Sequence, residues 1–327
     1  MGEALCSKSR QQPHEVIHGH EVDLSLETAR RRLKALILNA VFEYILLDLC
    51  IVLAGYDPYF SGAGTAISPV IETLPFIFFF ARAYRVILCL IMFRCFMTIG
   101  CTIGQAITLG LSITFRQSAQ VFTSAPLIAE WLYPDILGSM QVVADQGLVG
   151  FWGSYWHQLL RFSLTSCSRF VLSLIPEKLR RFQIVRVLLM AIVPFFVSGL
   201  SHLPGSFIQN NNTQPFMELT VKMEQCLGVI LQQFWVSVVV PKVFPVGSVP
   251  RRVRQFTNLV FVLLWFILTG PHLLDGYARD GIYCVEVLPF SLVRMLGFGS
   301  GRWLRWTKFP LEVWRGPTWW HTGIRIV

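Results

Sequence analysis

The sequence predicts an all-α, polytopic integral membrane protein: a helical bundle with about six spans plus interfacial or re-entrant helices. Apolar residues make up 54% of the 327 positions and charged residues only 14%, whereas a soluble domain usually carries about 25% charged residues. The chain holds 26 Phe and 10 Trp, which are common on lipid-facing helices and at membrane interfaces. Its basic residues cluster beside apolar runs, as at the cytoplasmic flanks of membrane helices.

Six apolar runs supply the predicted spans, because about 20 helical residues cross the hydrocarbon layer. In chain order the runs are Leu36–Ala54, Ile87–Leu111, Ile184–His202, Phe216–Val240, Phe256–Leu274 and the shorter Val285–Phe298. The apolar stretch 71–115 is too long for one span, so we predict a separate interfacial helix before Ile87. Residues 1–35 are expected to form a polar tail, and residues 36–327 a single membrane-embedded domain.

Charged residues inside and between these runs predict topology. Glu43 and Asp48 lie within the first predicted span, where charge is costly, so we expect them to face the protein interior or a polar cavity. Arg94 lies within the second predicted span, which is unfavourable for that prediction. The basic clusters 30–32, 180–181 and 251–254 are expected to lie on the cytosolic side. An even number of crossings, with both chain ends cytosolic, satisfies these positions.

Composition also excludes several functions. The net charge of +9 is explained by membrane flanks, and no Arg-rich, Gly-rich or aromatic-ladder motif indicates binding to nucleic acid. The 8 cysteines are scattered singly without a Cys-x-x-Cys pair, so the sequence predicts no metal site. We find no internal repeat, which argues against an inverted-repeat transporter.

Two short blocks carry the residues best suited to chemistry. The first reads Phe-Trp-Gly-Ser-Tyr-Trp-His-Gln over 151–158 and includes His157. The second reads Ser-Gly-Leu-Ser-His over 198–202 and ends at His202, at the far end of an apolar run. Placing a histidine within the membrane costs free energy unless it has polar partners, and such residues usually have a function. Both histidines are therefore candidate functional residues.

The two blocks together resemble the membrane-bound O-acyltransferase family. The closer resemblance is to its wax-synthase-like branch, which includes fungal O-acetyltransferases of secondary metabolism. The Trp-x-Tyr-Pro-x-x-x-Gly pattern over 131–138 and the Asp-Gly-Tyr-Ala-Arg-Asp-Gly segment over 275–281 are also similar to that branch. The resemblance extends from about residue 130 to the C-terminus. It departs at Ser154-Tyr155, where two arginines often follow the glycine, and this departure bears on substrate contacts.

The resemblance implies a membrane enzyme, of the endoplasmic reticulum, that moves an acyl group from acyl-CoA to a lipophilic alcohol. His202 is then the expected general base, and His157 is expected to stabilise the oxyanion or orient the acyl group. The residues expected to contact substrate or acyl-CoA are Trp152, Trp156, Gln158, Arg161, Ser198 and Glu224. No bound cofactor is expected, since acyl-CoA, preferably acetyl-CoA, is a co-substrate.

Other interpretations remain open at this stage. His202 is also compatible with a structural helix-end residue, and His157 and the tryptophans with an interfacial aromatic belt. Arg161 and its basic neighbours are equally explained by cytosolic flanking charge. A long-chain acyl donor would give a wax-ester synthase. A membrane terpene cyclase would need an acid such as Glu43, Asp48 or Glu224, and a non-catalytic membrane protein would need none of these residues.

Overall fold

The computed structural model describes residues 26–61, 76–119, 121, 127–129, 132–156, 158–208, 216–245, 248–306, 311–319 and 323–326. Helices form most of it, which confirms the all-α membrane class. The α-helices are α1 Leu26–Ala54, α2 Ile77–Thr114, α3 Arg116–Ala119, α4 Met140–Gln146, α5 Leu148–Gly150, α6 Gln158–Leu174, α7 Glu177–Arg180, α8 Gln183–Ile208, α9 Met217–Phe234, α10 Val240–Val243, α11 Arg251–Arg279 and α12 Leu292–Met295. π-helical turns cover Phe151–Tyr155 and Trp235–Val239, and 3-10 turns cover Pro58–Ser61 and Ile282–Cys284.

Five helices in the described part of the chain are long and apolar enough to cross a membrane. They occupy Leu26–Ala54, Phe78–Thr114, Gln183–Ser206, Met217–Val243 and Arg251–Arg279. Each contains most of one predicted span and extends beyond it. The prediction of a separate interfacial helix before Ile87 was wrong. Helix α2 is continuous there, and it has no proline or glycine between residues 77 and 99.

The predicted sixth span was also wrong. Val285–Phe298 holds only the four-residue α12, and Phe290 instead forms an isolated antiparallel bridge with Leu304. Pro289 and Gly297 interrupt this run, and both residue types disfavour a helix interior. The even number of crossings relied on this span, whereas the described residues supply five. The C-terminal segment adds an unpredicted antiparallel pair, β1 Leu311–Trp314 with β2 Gly323–Ile326.

The chain forms two compact units by its internal contacts. One comprises Met1–Ile37 and Gly104–Pro134, and the other Leu38–Ile103 and Asp135–Val327. Within the first unit Leu36, Leu109 and Tyr133 belong to one buried apolar cluster. There the Arg32 guanidinium donates a 2.7 Å hydrogen bond to the Tyr133 carbonyl. The second unit contains all of the candidate site residues.

Three buried carboxylates of the second unit accept hydrogen bonds, and two of them, Glu43 and Asp48, lie in the protein interior, one of the two positions expected from the sequence. Glu43 on α1 is 1% exposed, and both of its oxygens accept 2.6 Å hydrogen bonds from Arg94 on α2. Asp57 accepts two hydrogen bonds, of 2.8 and 2.9 Å, from Arg85. Asp48 accepts a 2.9 Å hydrogen bond from the backbone nitrogen of Val293. Pairing reduces the cost of charge inside apolar helices, and it explains how Arg94 is tolerated within a span.

Three helices position the candidate site. Gly199 lets α8 approach α9, because a Cβ atom there would lie 2.9 Å from the Leu219 Cα atom. Helices α9 and α11 are joined by the pair Gln225–Thr269, with a nitrogen-to-oxygen distance of 2.9 Å, and the pair Gln232–Asn258, at 3.1 Å. The reversed order of these partners makes α9 and α11 antiparallel. The helices differ in burial. Within the most apolar 18 residues of each helix, 6% are buried in α8 and 33% in α11.

Candidate active site

The aromatic block is held in a π-helical turn between α5 and α6. The Trp156 backbone nitrogen donates a 2.8 Å hydrogen bond to the Phe151 carbonyl, five residues back. Phe151 stacks on Trp156 with ring centroids 5.6 Å apart, and meets Phe266 of α11 edge-on at 4.9 Å. Wide turns of this kind are uncommon inside helices and often occur at functional sites.

Two backbone hydrogen bonds fix the end of this turn. The Gly138 nitrogen donates to the Tyr155 carbonyl at 2.8 Å, and the Gln158 nitrogen donates to the Ile136 carbonyl at 2.9 Å. A Cβ atom on Gly138 would collide with the Ser154 carbonyl oxygen. Glycine is therefore required at residue 138, and the short segment before α4 clamps the aromatic turn on both sides.

The ion pair of α1 and α2 also reaches the aromatic turn. Arg94, already held by Glu43, shares a hydrogen bond with the Tyr155 phenol. Burial raises the pKa of Tyr155 above its ordinary value, so the phenol stays neutral at physiological pH. A buried network of this type gives the turn a defined orientation, because each polar group constrains the next.

His202 lies near the end of α8 on an exposed part of the helix surface. It comes one turn after Gly199, where α8 and α9 are in closest contact. The hydroxyl of Ser201 donates a 2.7 Å hydrogen bond to the Ser198 carbonyl. The Ser-Gly-x-x-His pattern thus has a structural component, since glycine permits close helix packing and the histidine follows it toward the helix end.

Sequence reasoning missed a charged cluster on α9 that accompanies His202. Glu218 and Lys222 are one helical turn apart, and the charges of both lie within electrostatic range of the His202 ring. Glu218 is 5% exposed and accepts a short hydrogen bond from the Tyr277 hydroxyl of α11. The Lys222 ammonium lies over the Trp152 ring, 5.5 Å from its centroid. The available signal was the pair of ionisable residues within an apolar span.

The structure therefore brings the two sequence blocks to one region. Trp152 contacts Phe195 of α8 edge-on at 5.6 Å, and Lys222 lies over the same indole. The Trp152 indole nitrogen is buried and makes no hydrogen bond to the described residues. Lys222 therefore lies near both residues: its ammonium is over the Trp152 ring, and its charge is within electrostatic range of His202. His157 lies outside the described residues, so its role stays a prediction.

Two other predicted contact residues lie at the start of α6. The Gln158 amide donates a 3.3 Å hydrogen bond to the Trp156 carbonyl. The exposed Arg161 guanidinium lies 3.5 Å from the Gln158 amide oxygen. This places Trp156, Gln158 and Arg161 in a row that leads from the aromatic turn to an exposed helix face.

Glu224 is placed apart from the His202 cluster. It sits two residues after Lys222, a 200° step around the helix, and both of its oxygens contact His272 Nδ1, at 2.8 and 3.0 Å. This pair lines a cavity of about 460 Å³ between α9 and α11, together with Thr220, Asp275 and Arg279. Gln232, two turns further along α9, is buried and bonded to Asn258.

Comparison with known proteins points to the same segments. Residues 133–221 match the model of the Membrane bound O-acyl transferase family. The match contains the aromatic turn, α6, α8 and the first residues of α9. The matched segment therefore includes Trp152, His202 and Glu218, which lie in one region of the structure.

Three fungal proteins are similar to longer parts of the chain. The acetyltransferase eriL of Hericium erinaceus is 21% identical over 277 residues, which cover 81% of this chain and 62% of that protein. The acetyltransferase pyr8 of Aspergillus fumigatus is 30% identical over 45% of this chain and 34% of its own length. The acetyltransferase atnC of an Arthrinium species is 25% identical over 57% of this chain and 42% of its own. The chain thus spans between about a third and three fifths of these relatives. No solved structure matches it.

Proposed function

We propose that this protein is an O-acyltransferase of membranes, which transfers an acetyl group from acetyl-CoA to a hydroxyl of a lipophilic acceptor. The observation that carries the proposal is that Trp152 and His202 both lie near the charged cluster of α9. Trp152, His202 and Glu218 belong to the segment that matches the acyltransferase family, and Lys222 directly follows it. The similarity to three proteins named acetyltransferases favours acetyl as the group transferred.

In this mechanism the acceptor hydroxyl loses its proton to His202 as its oxygen attacks the thioester carbonyl carbon. The resulting tetrahedral oxyanion collapses, the carbon–sulfur bond breaks, and coenzyme A leaves as the thiol with the proton from His202. General-base catalysis of this kind contributes about 10²- to 10⁴-fold. Trp152 and Trp156 line the reaction region and exclude water, which would otherwise hydrolyse the thioester.

The polar part of coenzyme A requires a water-exposed position. Arg161 is exposed at the start of α6, beside Gln158 and close in sequence to the aromatic turn. Arginine binds phosphate through paired, charge-assisted hydrogen bonds. We therefore assign the phosphates of coenzyme A to the Arg161 end of the row, with the pantetheine arm passing Trp156 toward the thioester position.

The acceptor is proposed to be a hydroxylated terpenoid or polyketide of secondary metabolism, acylated in the endoplasmic reticulum membrane. The contacts of the three candidate acids argue against a terpene cyclase. A cyclase needs a carboxylic acid that is free to donate its proton. Glu43 is bound by Arg94, Asp48 by a backbone nitrogen and Glu224 by His272. None of these three is left as an unengaged acid.

The test is expression in microsomes with isotope-labelled acetyl-CoA and a mixed panel of lipophilic alcohols, with products read by mass spectrometry. We expect a labelled acetate ester from the wild type. The H202A variant should lose about two to four orders of magnitude in rate while its level in membranes stays normal.

The matched control is S201A, which changes the neighbouring residue of the same helix turn and removes a hydroxyl already bonded to the Ser198 carbonyl. S201A should retain its rate. Ester formation by H202A at the wild-type rate would place the base elsewhere. Product formed only from long-chain acyl-CoA would replace acetyl transfer by wax-ester synthesis.

A further inference from the structure

Lys222 is a cation within a candidate membrane span that has no conventional partner. In the described part of the chain, no carboxylate oxygen lies within 4.0 Å of its ammonium group, and no hydrogen bond to it is formed. Its ammonium group lies over the face of Trp152, 5.5 Å from the ring centroid. Such a cation–π contact contributes about 0.5–2 kcal/mol, and it leaves the hydrogen-bond donors of the ammonium free.

The charge of Glu218 lies within electrostatic range of Lys222, but the described side chains form no ion pair. The two residues have the spacing of a helical ion pair, but Glu218 accepts its hydrogen bond from Tyr277 instead. Glu218 is also nearly fully buried, whereas Lys222 is only half-buried and leans over the indole. A lysine placed only to balance this carboxylate would be in contact with it.

The helix geometry directs Lys222 toward His202. Helices α8 and α9 are joined by eight residues and pack together at Gly199 and Leu219, so they run antiparallel. Side chains on a helix lean toward its N-terminus. His202 therefore leans down α8 from its C-terminal end, Lys222 leans up α9 toward its N-terminal end, and the two side chains approach each other, consistent with their electrostatic range.

We infer that Lys222 is a catalytic residue that donates a hydrogen bond to the carbonyl oxygen of the thioester and stabilises the oxyanion. The inference rests on the proposed function and deepens it. As the acceptor oxygen bonds to the carbonyl carbon, the electron pair of the C=O π bond moves to oxygen, where the ammonium offsets its charge. That pair returns when the carbon–sulfur bond breaks, and Lys222 keeps its proton throughout.

The first experiment compares K222M, which keeps length and removes charge, with K222R, which keeps charge. Loss of one oxyanion donor costs about 10²- to 10³-fold in kcat, so we expect K222M to lose at least about 100-fold in kcat with little change in KM for acetyl-CoA. K222R should be at least about tenfold faster than K222M. A loss confined to KM, or a K222R rate no better than that of K222M, would overturn the inference.

The control is K242M, the same substitution at an exposed lysine of α10, within the same candidate span. K242M should keep its rate, and a K222M rate equal to that of K242M would refute the role of Lys222. Protein levels and melting temperatures of all variants are compared in parallel. A general folding defect would lower these quantities, whereas loss of an oxyanion donor would not.

A binding measurement separates this inference from the proposed function. Carboxymethyl-coenzyme A carries a carboxylate next to the sulfur and cannot transfer an acyl group. The wild type should bind it at least about tenfold more tightly than K222M, since the ammonium would contact the carboxylate. Absence of ester formation by the wild type would reject the proposed function, and equal Kd values for wild type and K222M would reject the role of Lys222.

Discussion

Removal of the Glu43 carboxylate should destabilise the fold sharply, because it leaves the Arg94 guanidinium without its main partner. We consider E43Q, which preserves side-chain volume and removes charge. Glu43 is 1% exposed and accepts two 2.6 Å hydrogen bonds from Arg94, whose side chain is 32% exposed. Arg94 also bonds to Tyr155, so the loss extends to the aromatic turn.

The magnitude follows from the burial of the two partners. Breaking a buried ion pair by removing one member costs about 3–5 kcal/mol. The Arg94 side chain is only partly buried, at 32% exposure, so we take the lower end, about 3 kcal/mol. This corresponds to a factor of roughly 150 in the unfolding equilibrium. At about 2 °C per kcal/mol for a chain of this size, it lowers the melting temperature by about 6 °C.

The assay is thermal unfolding of purified protein in one detergent, followed by intrinsic tryptophan fluorescence. The control is E177Q, which breaks the ion pair of Glu177 with Arg181 at 2.7 Å, where the side chains are 66% and 77% exposed. An exposed helical pair contributes about 0.3–0.5 kcal/mol, so E177Q should shift the melting temperature by about 1 °C or less. Equal shifts in E43Q and E177Q would refute the argument from burial.

Further predictions concern the aromatic turn, a surface carboxylate and the second histidine. G138A should lower the melting temperature and acetyl transfer together, because its Cβ atom collides with the Ser154 carbonyl; unchanged values for both would contradict the clamp. Hydrogen bonds from Arg251 hold the pKa of the Asp145 carboxyl below its ordinary value, so its stabilising contribution is complete above about pH 4 and is lost as pH falls through the lowered pKa. The melting temperatures of wild type and D145N should therefore converge as the pH falls below about 4, and a constant difference would contradict this. H157N should keep part of the transfer rate, since an amide still donates a hydrogen bond, whereas H157A should lose about 100-fold; equal, negligible losses would reduce His157 to a packing residue.

The spans were largely predictable because hydrophobic length is a local property of the sequence. Three long apolar runs are confirmed as the single helices α1, α8 and α11, and a fourth corresponds to α9, the following π-helical turn and the start of α10. The error at α2 arose from judging the apolar stretch 71–115 too long for one span, whereas α2 is one helix of 38 residues. Arg94 is tolerated within it because its partner Glu43, 51 residues earlier, accepts its hydrogen bonds. Such a pairing is a tertiary contact that a sliding window does not detect. The prediction of a sixth span was wrong because it relied on the apolar residues of this run, although Pro289 and Gly297 disfavour a helix interior.

The site was predictable only in part, for a related reason. Motif resemblance identified Trp152 and His202 but gave no information about which helix covers them. Lys222 and Glu218 lie on α9, beyond both motifs, and their relation to His202 depends on the contact of α8 with α9 at Gly199. Glu224 was selected from the same helix because of its charge. Its position on a different face follows from the 100° step per residue, and its partner His272 required the structure.

The small buried fraction of α8 has a consequence for how turnover depends on the surrounding lipid. The helix that carries His202 presents most of its apolar surface outward, so in the proposed reaction a lipophilic alcohol dissolved among acyl chains would reach it by two-dimensional diffusion. The concentration that governs saturation is then the mole fraction of alcohol in the lipid phase. Adding inert lipid at constant total alcohol should slow the reaction by dilution, while the dependence on water-soluble acetyl-CoA stays the same. Kinetic constants for the two substrates therefore refer to two different phases, and only the constant for the alcohol changes with the amount of membrane.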